Sequence, residues 1–237
     1  MGPPFDVTNN IKMEEEDGSR LSSDNRYKTS QHHFLLIDER LRVISRTMDQ
    51  ETLSREDRIF LASGIGTTQH NIASMLGAIE LGKVDESSSG THIAYYLAAL
   101  LYMNLALREM LPNAEMHTVI MDRLRRVMTE DGEHLLLTWD SSAERLLWVA
   151  FMGAAAAHGR TARPFFLNVL QRLRKLLQIE HLEQFQDILR TFGWRKGFSE
   201  PHAALIWTEM ENPAAAGCSN ELILLRAMRT PSVSPKG

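Results

Sequence analysis

The run LLWVAFMGAAAA, Leu146 to Ala157, constrains this chain more than any other feature. It holds a dozen apolar or glycine residues without a break. Asp140, Glu144 and Arg145 close one side; His158 and Arg160 close the other. A membrane-crossing helix needs roughly 18 or more apolar residues, so the run is too short to span a bilayer. A helix that is apolar all round must then lie in the middle of a protein core. The predicted central helix covers about Ser142–His158. Ser141-x-x-Glu144 reads as its capping box, in which the Ser side chain accepts from the third helical N–H and the Glu reaches back. Gly159 stands where a left-handed closing residue is wanted. Thr161 is placed to cap the next helix, with Pro164 in its first turn, where a missing N–H costs little. The whole stretch thus reads as two helices around a tight "HGRT" corner, antiparallel because the connection is short.

Helical spacing recurs on both sides of this pair, and no run alternates with period two. Phe34, Ile37, Leu41 and Ile44 form one stripe; Ile72, Met75, Leu76 and Ile79 form another, after "SGIGTT", which reads as a turn. Ala94–Leu111 is apolar through its first half and ends before Pro112. Met116, Ile120, Leu124 and Val127 mark a further helix. Phe166, Val169, Leu170, Leu173, Leu176 and Leu177 mark the helix after the corner, and Leu182, Phe185, Leu189 and Phe192 the next. Gly193-Trp194 ends that one, and Ala203–Glu209 gives a short last helix. The fold class is therefore all-α: a multi-helix domain with antiparallel pairs around a buried central helix. Residues 1–30 read as a disordered polar tail carrying the acidic run Glu14-Glu15-Glu16-Asp17. Residues 31–211 form the helical domain. Residues 212–237 read as a flexible tail with a short helix at Glu221–Met228.

Charge and cysteine content narrow the function. A net charge of −4 gives no general pull toward nucleic acid or anionic membrane. The single cysteine, Cys218, makes neither an intrachain disulfide nor a thiolate metal cluster. The start, MGPPFDVTNN, lacks a basic and apolar signal pattern, Asp6 occupies the position where myristoylation wants Ser or Thr, and no glycosylation sequon is present. These features point to a reducing, intracellular setting.

Four blocks in order carry a family resemblance. "YYLAALLYMNLALREMLP" is an apolar helix closed by Pro. "MDRLRRVM" is amphipathic. "LLWVAFMGAAAAHGRTARPFFLNVLQRL" joins a core helix to an R-P-aromatic entry. "FQDILRTFGWRKGFSEPHAALIWTEM" sets an F-x-W element before a closing W-x-E. Over about Ile93–Glu211 the chain resembles the C-terminal regulatory domain of fungal-specific transcription factors of the binuclear zinc cluster class. The resemblance implies a helical, nuclear, regulatory domain without catalysis. It also implies protein partners or a small effector. The family's DNA-reading module is a six-cysteine cluster holding two zinc ions, and one sulfur cannot build it. DNA contact is therefore expected only indirectly, or through an N-terminal module missing from this chain. Without the resemblance, the cytoplasm is the expected location. No oligomeric state follows from the pattern.

Catalytic, cofactor and metal residues are all expected to be absent. His32-His33 is the only close histidine pair; Glu130 and His134 flank a Gly132 turn. No H-E-x-x-H, G-x-S-x-G or P-loop occurs. "SGIGTTQHN" carries a lone G-x-G without the preceding strand that a dinucleotide site requires. Glu183 and Asp187 share a helix face and read as surface charges near Arg190. "RLRR" at Arg123–Arg126 and "RLRK" at Arg172–Lys175 read as solvated helix faces. Trp148, Phe151, Phe166, Trp194 and Trp207 are the expected core anchors. The alternative reading is a small helical enzyme acting on an isoprenoid- or lipid-like substrate between Ala94–Leu111 and Leu146–Ala157. It lacks the clustered carboxylates that such chemistry uses to hold a metal.

Overall fold

The computed structural model describes residues 23–81, 89–111, 114–130 and 143–212. All regular structure among them is helical: α1 Ser23–Met48, α2 Arg55–Glu80, α3 Ser89–Tyr102, a π-helical turn Met103–Leu107, α4 Glu115–Glu130, α5 Ala143–Ala156, α6 Arg163–Leu176, α7 Leu182–Arg190 and α8 Lys196–Glu211. Two compact units are distinguished, Met1–Leu35 and Leu36–Gly237. The first contains the beginning of α1; the second contains the rest of α1 and every later helix.

The central position in the second unit belongs to α5. Every residue from Leu146 to Ala157 is buried. The helix packs against α3, α4, α6, α7 and α8. Its partner α6 packs against it at Gly153, where the Phe166 ring fills the space a Cβ would take. The corner between them has Gly159 at φ +69°, the left-handed conformation that glycine adopts at no steric cost. Pro164 lies in the first turn of α6. The cap of that helix differs from expectation: Ala162 is the N-cap, with no side-chain bond, and Thr161 does not cap. A bond from Arg163 N to Arg160 O closes the corner through the backbone instead.

Other expectations are corrected. "SGIGTT" is no turn, because Gly64 and Gly66 lie inside the 26-residue α2. Ser54 and Asp57 form a reciprocal capping box at its start, with Asp57 N donating to Ser54 Oγ at 3.0 Å and Ser54 N to Asp57 Oδ2 at 2.9 Å. Leu61, Thr68, Ile72 and Leu76 anchor the helix in the core, so packing overrides the weak propensity of the glycines. The buried stripe of α4 is His117, Met121, Leu124 and Met128, while Met116 is exposed and Ile120 and Val127 are half-buried. Helical backbone begins at Ser23, inside the segment read as a tail, because SDNRYKTSQHH contains neither Pro nor Gly to stop it. The last helix begins at Lys196 rather than Ala203. Pro201 lies inside it, and Arg195 O pins its first turn by accepting from Phe198 N at 3.1 Å and Ser199 N at 2.7 Å. Within the stripe of α6, Leu176 is exposed.

The Ser141–Glu144 capping box, the Glu130–His134 turn, Cys218 and the helix read at Glu221–Met228 involve positions outside the described residues.

Candidate functional site

Four of the five expected anchors are buried: Trp148, Phe151, Phe166 and Trp207. Trp148 is wholly enclosed. Its ring lies 5.8 Å from Tyr95, 5.9 Å from Tyr102 and 6.0 Å from Phe192, between centroids. Its indole N–H donates to Gly193 O at 3.3 Å. Phe185 bridges Phe151 and Trp207, with centroids 6.1 and 5.8 Å away. The fifth anchor, Trp194, is corrected. It is only half-buried, under the Arg190 guanidinium at 5.1 Å, while Phe192 enters the core in its place. The reason is helical register: Phe185, Leu189 and Phe192 continue one face of α7, and Trp194 falls beyond it. The space proposed for an apolar substrate, between the helices at 94–111 and 146–157, is where the Trp148, Tyr95 and Tyr102 rings meet.

Two buried polar clusters accompany the aromatic ones. Asp38 of α1 accepts from the Tyr95 hydroxyl at 2.5 Å and from Arg145 Nη2 at 3.0 Å. Burial outweighs both partners and holds the Asp38 carboxyl above its ordinary range. Burial, reinforced by Asp38, pushes the Tyr95 hydroxyl well up. The second cluster lies across α6 and α8. Arg163 Nε donates to Glu209 Oε2 at 2.7 Å, and its Nη1 donates to Ala154 O of α5 at 2.5 Å. His202 lies buried nearby, with Nδ1 2.7 Å from Phe198 O, and desolvation lowers its pKa to about 4. These groups join helices through charge-assisted hydrogen bonds. Both carboxylates are taken up by arginine, which suits a structural role.

Sequence reasoning missed both clusters because their members lie far apart in the chain. One signal was present: Asp38 and Ser45 fall in the inward row Asp38, Leu41, Ser45, at spacings of three and four. A carboxylate in such a row requires a buried partner.

The surface candidates separate. Arg123 pairs with Glu80 of α2, and Asp122, Arg125, Arg126, Thr129 and Glu130 line an open depression of about 530 Å³ on α4. Arg174 lies over the Trp207 ring at 4.0 Å, whereas Arg172 and Lys175 are exposed. At the corner, Arg160 donates to the Thr118 hydroxyl of α4. Arg190 pairs with Asp187 at 2.6 Å, and Glu183 is exposed. Among the described residues, no group of three His, Cys, Asp or Glu side chains could hold a metal ion, and no helix is long and apolar enough to cross a membrane.

Comparison with known proteins gives one match. The model of a family described as the fungal specific transcription factor domain aligns with residues 19–195. The match begins well before the four blocks and stops at Arg195, short of the closing W-x-E. No curated protein and no solved structure shows significant similarity to the chain.

Proposed function

Because the chain belongs to the fungal specific transcription factor domain family, we propose that it regulates transcription as a helical module that works by binding a protein partner or a small effector. The match over residues 19–195 carries this reading. The core agrees with it: the buried carboxylates are occupied in ion pairs, and the central space is filled by aromatic rings. A family of this kind is generally non-enzymatic and points to the nucleus, where we place the chain's action. With Cys218 as its only cysteine, the chain would reach DNA through a partner or through a zinc-cluster segment not included in it. Partner or effector binding would act by favouring one packing of the helices over another.

The test is a tethered reporter. The chain is fused to an unrelated DNA-binding domain whose sites lie upstream of a reporter gene in a fungal cell. Reporter output is expected to change severalfold against the DNA-binding domain alone. An unchanged output from a fusion that is abundant and nuclear would overturn the proposal.

A further inference from the structure

The end of α3 departs from α-helical geometry inside the core. Met103–Leu107 form a π-helical turn, all five residues buried. Arg108 N bonds Met103 O, five residues back, at 3.0 Å, and Met110 N bonds Asn104 O, six back, at 3.0 Å. Glu109, a non-glycine residue, takes φ 49° to close the turn. Such a conformation is costly for an L residue and persists only where the surroundings impose it. π-turns of this kind are rare and occur frequently at functional sites.

The surroundings that impose it come from the other end of the domain. Arg195, just before α8, donates from Nη1 to Ala106 O at 2.7 Å and to Glu109 Oε1 at 2.5 Å. Asp49, at the end of α1, accepts from Lys196 N at 2.9 Å and holds the Arg195 segment in place. Gly193 lies against the ring of Tyr102, the residue preceding the π-turn. A Cβ there would stand 2.7 Å from Tyr102 Cε1. The Tyr102 hydroxyl donates to Ser45 Oγ of α1 at 2.7 Å, since the Ser45 hydroxyl already donates to Leu41 O. One short segment, Gly193–Lys196, therefore touches the π-turn, the residue before it and the end of α1.

We infer that Met103–Met110 is a two-state latch, held in its π-ended form by Arg195, whose release lets the segment open locally. In the closed state the guanidinium holds Ala106 O and Glu109 together. In the open state both lose it, Glu109 leaves the left-handed region, and the turn relaxes. Any contact that draws Arg195 away, at the α7–α8 connection or at the end of α1, biases the same equilibrium. This inference rests on the geometry alone and stands whether or not the chain regulates transcription.

Amide hydrogen exchange on the full chain tests it. Arg195→Ala is expected to lower protection of the amides at 103–110 by about tenfold or more, with α5 amides unchanged, because local opening is separable from global unfolding. Glu109→Ala keeps a Cβ at φ 49° but removes the carboxylate that Arg195 holds, and is expected to lower protection of the same amides by less than Arg195→Ala, which also loses the bond to Ala106 O. Arg172→Ala, at an exposed position of α6, serves as the control and should leave them unaltered. Equal protection in wild type and Arg195→Ala would overturn the latch. So would a uniform loss across α5 and the π-turn together, or a rise in protection with Glu109→Ala.

Discussion

Trp148 is the largest of the fully buried side chains. It meets Tyr95, Tyr102 and Phe192 through its ring and Gly193 O through its N–H. Trp148→Ala should cost about 3–5 kcal/mol, read from urea unfolding midpoints. An unchanged midpoint would mean the ring is not packed against these neighbours. A second residue-scale prediction concerns pH. His202 titrates at about 4 in the folded chain against 6.5 for the free group, mainly because burial disfavours the cation. Below about pH 6.5 the unfolded chain binds a proton that the folded chain refuses. Stability should therefore fall as pH drops from 6.5 toward 4, by about 3 kcal/mol, and be insensitive to this group above that window. Asp38 works in the opposite sense at the acid end, since its raised carboxyl takes up a proton more readily in the folded state. His202→Gln should flatten the fall between pH 6.5 and about 5; an identical pH profile would assign it to other groups. Large rings were readable at this scale because an apolar run fixes which way they face. Trp194 was not, since it lies two residues past the end of the α7 stripe, and size alone does not bury a ring.

Helices were legible where one face is strongly apolar. The pair around the HGRT corner, α5 and α6, follows from the apolar run, Gly159 and Pro164. The stripe of α4 was not, because His117 and two methionines supply it and a buried histidine does not look apolar. Glycine misled in α2, where two of them suggested a turn. The distinction between glycines lies in what surrounds them and is invisible in sequence. Gly153 has the Phe166 ring in the place of its Cβ; Gly66 has nothing within 4 Å. Gly153→Ala should therefore overpack the α5–α6 contact and cost about 1–3 kcal/mol or more. Gly66→Ala should stabilise α2 by about 0.5–1 kcal/mol, by replacing the poorest helix former short of proline with the best. Thermal melts of the two variants should move in opposite directions. Melts moving the same way would contradict either the packing at Gly153 or the continuity of α2.

Across Leu36–Glu211, the architecture is a central apolar helix packed against α3, α4, α6, α7 and α8, with arginine–carboxylate pairs joining α1 to α5 and α6 to α8. The all-helical class was legible from periodicity, and the family from four ordered blocks. The long-range polar pairs were not, because Asp38 lies 107 residues from Arg145, and Arg163 lies 46 from Glu209. No local pattern couples such positions. The central claim is that this folded core is itself the regulatory unit. Reporter output from the tethered chain, wild type beside Trp148→Ala at matched abundance, tests it most directly. The wild-type fusion should shift output severalfold, and the variant should return it to the level of the DNA-binding domain alone. A nuclear, folded wild-type fusion with no effect, or a variant as effective as wild type after its core has unfolded, would contradict the claim.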